Sequence, residues 1–444
     1  MGDAQLKLVV IDPSLRGTHG HHLVFAEQIW HEAEKRGLSF SAVCHREFPR
    51  RVSDMPCARH FHDNIYFGFD SGWSRLQAIP RVNLNFERKL KAISAAVFDR
   101  QTIAYFPTVN EYLFPAICNW LKSYPQDRRP YCCVNLMFPC GLRGPSDSGG
   151  ALHDATAAAT YLAAFESLGE ADRDISLFGY GQEIRSDYEN LLGRGVTLHP
   201  LIFSPEIGEY LARKRAPSTL KEAASPARVL VHAGHVRKDK QPELLPELVH
   251  TLVAMPGLKV LAHAHLAHRN AFLAGIIRSL DEIAAQCDSF DFFSGRIGDR
   301  EYLDLLVSSD IVLFTHRPRD FLYKTSGVLY EAAYLEKILV VPENTCLERE
   351  CRAMGCSFFP YGTDFEEIIA AIGRAVQASQ MSLPKTQMQD FRYKWGPEAV
   401  VGELVDGWSR RSLSEGPIEP ALKTSHQSLG ERFRRTISRY RRRN

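Results

Sequence analysis

Short apolar runs alternate with helix-spaced apolar patterns along almost the whole chain. In the first half, runs at 8–11, 40–43, 103–106, 131–138 and 175–178 read as strands. After the first run, Leu23, Ala26, Trp30 and Ala33 recur at helical spacing, and Gly37 follows as a stop. A second set of strand-like runs lies at 228–232, 258–262, 290–293, 311–315 and 338–341. Strands separated by helical stretches predict parallel sheets covered by helices, so the fold class is α/β. The intervening segment 212–227, rich in Lys, Arg, Pro, Ser and Ala, reads as a linker or a surface helix. Residues 391–408 are helical in pattern and partly apolar, whereas 411–428 have the composition of a disordered segment.

A chain of 444 residues is too long for one ordinary domain. Two α/β units joined near 200–225 account for the two sets of strands. Apolar residues make up 45% and charged residues 24%, an ordinary globular balance. The net charge of +2 gives no global field that selects nucleic acid. The ten cysteines form no C-x-x-C pair, and Cys346, Cys351 and Cys356 lack the spacing of the usual zinc frameworks. They read as reduced, mostly buried thiols of a cytosolic protein. The first apolar run is too short for a signal peptide, and no stretch approaches the length of a membrane span. An intracellular location is therefore expected.

Four segments carry candidate chemistry. In 323–333, Ser326 is placed as an N-cap and Gly327 lets the backbone approach a ligand. The free N–H groups of that helix start would attract a diphosphate, and Glu331 could accept hydrogen bonds from a ribose. A capped core helix with Glu331 as a solvated charge fits the same residues. In 231–240, Gly234 sits just past a strand end, and Arg237 and Lys240 are spaced to face a pyrophosphate leaving group. An exposed basic turn is the competing reading.

The third segment, 12–22, is glycine- and histidine-rich and follows the first strand. It is not a G-x-G-x-x-G fingerprint, and its histidines lack the partners of a metal set. His21 and His22 are instead candidates for active-site contact. The fourth segment, 107–111, places Thr108, Asn110 and Glu111 at a strand end, where Asn110 reads as a helix cap.

Taken in order, these motifs resemble retaining glycosyltransferase family 4, also called group 1, over about residues 6–408. The resemblance implies two facing Rossmann-like domains of the GT-B type. An acceptor domain would span 1–205, a nucleotide-sugar donor domain 206–385, a crossover helix 386–410 and a polar, basic tail 411–444. It implies that Gly17, Gly20 and His21 face donor and acceptor, and that Gly234, Arg237 and Lys240 hold the donor diphosphate. The family's Glu-x7-Glu element matches 323–331: Glu331 stands where the family binds the ribose, and Tyr323 replaces the first glutamate. The Tyr323, Lys324, Ser326 and Gly327 combination is similar to a variant found in some members, and Thr325 completes the donor loop.

The implied reaction moves a sugar from a nucleoside diphosphate, such as a UDP- or GDP-sugar, to an acceptor hydroxyl. It needs no metal or further cofactor, and it belongs to polysaccharide or glycolipid synthesis. His21 and His22 are the candidate catalytic bases, with Arg237 and Lys240 assisting departure of the diphosphate. A catalytically weak glycan- or nucleotide-binding module and a nucleotide-sugar epimerase fit the same fold. A glycogen-type phosphorylase would need a pyridoxal phosphate lysine in a much longer chain. The last 13 residues, 432–444, hold seven arginines and no acid. As a helix, 429–444 would be a basic amphipathic segment able to lie on the inner membrane face near a lipid-linked acceptor. A disordered basic tail fits the same composition.

Overall fold

The computed structural model describes residues 5–17, 21–49, 53–67, 72–93, 97–143, 151–214, 226–266, 270–380 and 394–413. The chain divides into two compact units, one formed by 1–202 together with 393–444 and the other by 203–392.

The first unit is built on a parallel sheet. Its strands are β1 (Lys7–Asp12), β2 (Ser39–His45), β3 (Cys57–Phe61), β4 (Thr102–Val109) and β5 (Tyr131–Leu136). The chain then forms a small antiparallel hairpin, β6 (Leu142–Arg143) and β7 (Ala151–Leu152). Strands β8 (Ile175–Gly179) and β9 (Thr197–Leu198) complete the large sheet, in the order β3-β2-β1-β4-β5-β8-β9. β4 and β5 are buried at every position, as expected of a sheet covered on both faces.

The second unit carries a six-stranded parallel sheet. It consists of β10 (Ala227–His235), β11 (Leu258–His265), β12 (Phe290–Ser294), β13 (Ile311–Leu313), β14 (Ile338–Pro342) and β15 (Phe358–Tyr361), in the order β12-β11-β10-β13-β14-β15. Each sheet therefore has one point where the strand order reverses, between β1 and β4 in the first and between β10 and β13 in the second. Crevices at the carboxyl ends of such strand pairs are where open α/β sheets hold ligands.

The helix His21–Lys35 covers one face of the first sheet with Leu23, Ala26 and Ala33 buried, and Gly37 follows with φ 71°. The helix Pro397–Leu413 packs on the same face. Its Val400, Val401 and Leu404 share one core cluster with Leu23, Ala26 and Ile29. Gly407 permits this approach, because a Cβ there would meet the Tyr131 hydroxyl at 2.8 Å. Trp408 Nε1 donates to the Arg100 carbonyl at 3.0 Å. Arg411 is buried and pairs with Asp174 at 2.7 Å, while Arg129 pairs with the other oxygen of Asp174 at 2.9 Å.

Several local expectations need correction. The last helix begins at Pro397, after Gly396 at φ 92°, not at 391, and it continues through 413. Residues 411–413 thus belong to a packed helix, while 414–428 lie outside the described residues, as do 429–444. β5 ends at Leu136, short of 138. The segment 212–227 opens as the end of the helix Pro205–Lys214 and closes as the start of β10, and 215–225 lie outside the described residues. All ten cysteines are free thiols; Cys346 and Cys351 are buried in one helix, and Cys356 donates weakly to the Cys351 carbonyl.

Candidate functional site

The four segments singled out in the sequence fall at the two reversal points. The loops after β10 and β13 adjoin each other in the second unit, and the ends of β1 and β4 adjoin in the first.

In the second unit, Gly234 lies inside the carboxyl end of β10 and not just past it, at φ 97°, a left-handed conformation that costs a residue with a Cβ. Arg237 caps a short 3-10 turn, Lys238–Lys240, and the turn directs Lys240 inward. Lys240 is buried, so the reading of this stretch as an exposed basic turn does not hold for it. Its Nζ lies 3.4 Å from the Ala233 carbonyl oxygen. Burial, reinforced by Arg237 and partly offset by Asp239 and Glu331, lowers the Lys240 pKa to about 8. Arg237 stays exposed and pairs with Asp239 at 3.2 Å. Lys324 reaches the other oxygen of Asp239 at 2.8 Å and lies 4.4 Å from the Phe321 ring centroid. Asp239 thus ties the loop after β10 to the loop after β13.

Lys240 shares a small pocket with His232, Thr315, His316 and Val328, between the ends of β10 and β13. The Thr315 hydroxyl donates to the Lys240 carbonyl at 2.7 Å. His232 Nε2 and both ring nitrogens of His316 are buried without a hydrogen-bond partner among the described residues. Burial first, then the nearby Lys240, holds both imidazoles well below their ordinary range, so they are neutral at pH 7. Buried polar groups left unmatched inside a protein are costly, and a ligand's acceptor oxygens would take the one ring N–H that a neutral His316 carries.

The helix Gly327–Tyr334 starts beside this pocket. Ser326 occupies its N-cap position with extended backbone, but its side chain makes no capping bond. The N–H groups of the first turn therefore lack a side-chain cap from Ser326, which suits an anion. Thr325 Oγ1 is also buried without a partner among the described residues, and Tyr323 is half-buried. Glu331 is half-buried and accepts a hydrogen bond of 2.6 Å from the Tyr302 hydroxyl. The solvated-charge reading of Glu331 therefore fails. Burial raises its pKa, with the Tyr302 hydrogen bond opposing that shift.

In the first unit, Asp12 ends β1 and is buried. One of its oxygens accepts from the Ser14 N–H at 2.8 Å, and the other meets His22 Nδ1 at 2.7 Å. Burial alone would lower the His22 pKa; the Asp12 charge and hydrogen bond outweigh it and raise the value. The helix starts at His21, whose side chain lies outside the described features, as does Gly20 entirely. Gly17 has open space around its Cα.

At the end of β4, Asn110 does not cap the following helix, which begins at Phe114 with Leu113 in the cap position. Its carbonyl oxygen instead accepts from the Tyr112 N–H at 3.1 Å, and its amide donates to the Ile65 carbonyl at 2.8 Å. The side chain thus forms a local turn and pins a neighbouring loop. Thr108 and Glu111 are buried, and Glu111 accepts from Arg75 Nε at 3.0 Å.

The structure brings Gly234, Arg237 and Lys240 of one predicted segment beside Lys324, Thr325, Ser326, Gly327 and Glu331 of the other, at the carboxyl ends of neighbouring strands. The sequence gave no role to His232, His316, Tyr302, Asp12 or Asp239. His316 had one visible signal, a titratable residue directly after the apolar run 311–315. Tyr302 lies 29 residues before its partner Glu331.

No protein-family model matches the chain, and no curated protein matches it. Solved structures do. Sucrose-phosphate synthase from Thermosynechococcus elongatus matches with a TM-score of 0.59 at 12% identity, covering 93% of this chain and 100% of that one. The N-terminal domain of Candida albicans trehalose-6-phosphate phosphatase gives 0.56 at 12%, covering 92% and 98%. Anabaena HepE in complex with UDP gives 0.50 at 11%, covering 92% and 99%. Identities this low establish the fold. The protein has the two Rossmann-like α/β units of the GT-B architecture, matched over nearly the full length of its structural neighbours.

Proposed function

We propose that this protein is a glycosyltransferase that takes a sugar from a nucleoside diphosphate and transfers it to an acceptor hydroxyl. The observation that carries the reading is the pocket at the β10–β13 reversal point. There a buried lysine, the unpartnered Nε2 of His232, both unpartnered ring nitrogens of His316 and a helix start without a side-chain cap converge. That set suits the growing negative charge of a departing diphosphate. The structural neighbours add support, since one is named a sucrose-phosphate synthase and one was solved with UDP.

Lys240, Arg237 and the N–H groups of 326–328 would hold the diphosphate, and His232 and His316 would donate to its oxygens. Glu331 would accept from the ribose hydroxyls, with Tyr302 fixing its orientation. In the first unit, His22, oriented by Asp12, would receive the acceptor hydroxyl. The donor is a substrate, and the assignment includes no metal or further cofactor. Retention of configuration and a role in polysaccharide or glycolipid synthesis complete the proposal on the strength of the resemblance, and the basic composition of 429–444 adds contact with the inner membrane face.

A thermal-shift screen against UDP, GDP, ADP and their common sugars tests the reading, with Glu331→Ala alongside. A ligand that binds the folded state raises its melting temperature. A shift with one nucleotide family, reduced in the variant, is the expected result. Binding without sugar transfer to any acceptor would favour a binding module, interconversion of the free donor would favour an epimerase, and no shift at all would overturn the donor site.

A further inference from the structure

We infer that Cys351 and Cys356 are a modification site, a thiol pair that a peroxide converts into a reversible disulfide, and that closing the disulfide loosens the donor loop. The thiol chemistry stands apart from the sugar-transfer proposal; the effect on the loop rests on that proposal.

The two cysteines are brought together by the way a helix ends. The helix Cys346–Met354 starts from a Thr345 cap, whose hydroxyl accepts from the Glu348 N–H at 3.3 Å. It stops at Gly355, with φ 67°. The Gly355 N–H reaches the Arg352 carbonyl at 3.2 Å, and the Cys356 N–H reaches the Cys351 carbonyl at 3.3 Å. This paired closure folds the chain back over the last turn. It packs the side chain after the glycine on the one five residues earlier, a place commonly filled by an apolar contact. Here both residues are cysteines. The Cys356 thiol lies 3.5 Å from the Cys351 carbonyl oxygen. Burial first, then the neighbouring Cys356 thiol, raises the Cys351 pKa well above its ordinary value.

The two thiols are placed for different steps. Cys356 is half-buried and open to a small oxidant, whereas Cys351 is buried and held as the neutral thiol. The Cys356 sulfur attacks the O–O bond of a hydroperoxide, giving a sulfenic acid and releasing an alcohol or water. The Cys351 sulfur then attacks the Cys356 sulfur. The S–S bond forms, and the Cys351 proton leaves with the hydroxyl as water. Two thiols are oxidised and one peroxide is reduced; a dithiol reverses the step. Two other sequence or sheet neighbours are not so placed. Cys132 and Cys133 are adjacent on β5 and point to opposite faces. Cys57 stands opposite Ala42, two register positions from Cys44, which puts the two Cα atoms beyond the span of a disulfide.

The same helix braces the donor loop. The Cys346 N–H donates to the Phe321 carbonyl at 2.9 Å, and Arg349 donates to the Leu322 carbonyl. Glu350, next to Cys351, accepts from the Tyr330 hydroxyl at 3.2 Å. Phe321 and Leu322 directly precede Tyr323, and Tyr330 belongs to the helix Gly327–Tyr334. A disulfide draws two sulfurs from contact to about 2 Å. On the far side of Cys356, the Ser357 carbonyl accepts from the Leu339 N–H of β14 at 3.0 Å, which anchors that end to the sheet. The helix is therefore the part that shifts, and its shift pulls on the bonds to Phe321, Leu322 and Tyr330.

The test treats the full chain with hydrogen peroxide, blocks the remaining thiols with iodoacetamide and digests it with trypsin. Cleavage after Arg349, Arg352 and Arg374 places Cys351 in peptide 350–352 and Cys356 in peptide 353–374. Mass spectrometry should find these two peptides joined, and dithiothreitol should separate them. Cys356→Ser should abolish the link, and Cys351→Ala should leave a sulfenic acid at position 356 that dimedone traps. Calorimetric titration with UDP and GDP reads the loop. Affinity for the nucleotide that binds should fall about fivefold on oxidation, return with dithiothreitol and stay unchanged in peroxide-treated Cys356→Ser protein. Absence of the joined peptides, or joining of either cysteine to a different partner, would overturn the inference. Joined peptides with unchanged nucleotide affinity would overturn the coupling to the donor loop. Joined peptides in a protein that binds neither nucleotide in either redox state would overturn the donor site and leave the disulfide standing.

Discussion

The Tyr302 hydroxyl donates to Glu331 Oε2 at 2.6 Å, joining the helix Asp299–Ser308 to the start of the helix Gly327–Tyr334. The bond leaves the other Glu331 oxygen for a ligand and keeps the carboxylate from being lost to burial. Tyr302→Phe removes one hydrogen bond to a charged group without changing the packing. A loss of about 1.5 kcal/mol in nucleotide affinity is expected, read by calorimetric titration. Equal affinity in parent and variant would show that Glu331 is positioned by other means.

Lys240 should make donor binding pH-dependent. Its pKa is lowered to about 8, so the charged form is complete below that pH and is lost above it. A diphosphate prefers the ammonium, so affinity should be highest below pH 8. Above it, affinity should fall by up to about tenfold per pH unit. Lys240→Arg, charged throughout, should flatten the profile between pH 7 and 9. A parent profile that is flat over this range would remove Lys240 from the diphosphate site.

The Asp12–His22 pair should act on turnover more than on donor affinity. His22→Asn is expected to lower kcat by about a hundredfold with the donor KM within about twofold, because His22 belongs to the first unit. Asp12→Asn keeps a hydrogen-bond partner but removes the charge that raises the His22 pKa. Its rate profile should therefore move to lower pH, which a merely structural role for Asp12 would not produce.

Arg411 closes a buried group in which Asp174 is shared with Arg129, and its Nη2 also donates to the Arg129 carbonyl at 2.8 Å. Arg411→Leu breaks one arm of that group and should destabilise the first unit by about 3 kcal/mol. Urea unfolding followed by tryptophan fluorescence measures it. An unchanged midpoint would mean that the end of the last helix contributes little to holding the unit together.

The strand–helix alternation was legible in the sequence because core strands of a parallel sheet are buried on both faces and read as unbroken apolar runs. β1, β2, β4, β5, β8, β10, β11, β13 and β14 were found that way, and the edge strand β12 by its aromatic run. β3, β6, β7, β9 and β15 were not. β3 is an edge strand whose Cys57, Ala58 and Arg59 are exposed, β9 has two residues, and Phe358, Phe359 and Pro360 in β15 are only partly covered. Such strands exist because a neighbouring strand offers hydrogen bonds, and no local period announces that. Asn110 was misread for a related reason: a short polar side chain after a strand can cap a helix or turn the chain, and only the position of Ile65 decides between them.

The sequence by itself determined that two α/β units exist and that glycine, lysine, arginine and glutamate stand at particular strand ends. Propensity, period and turn chemistry act over a few residues and are written in the order of the chain. Which strand ends become neighbours was decided only by the sheet order, because β10 lies beside β13 and β1 beside β4 through pairings across 70 residues or more. That order buried Lys240 next to His232 and His316, brought Tyr302 to Glu331, and left Trp73 and Leu84 outside the core. Burial and partnership depend on what the rest of the chain places nearby, and they convert the same residue types from a basic turn and a surface acid into a site.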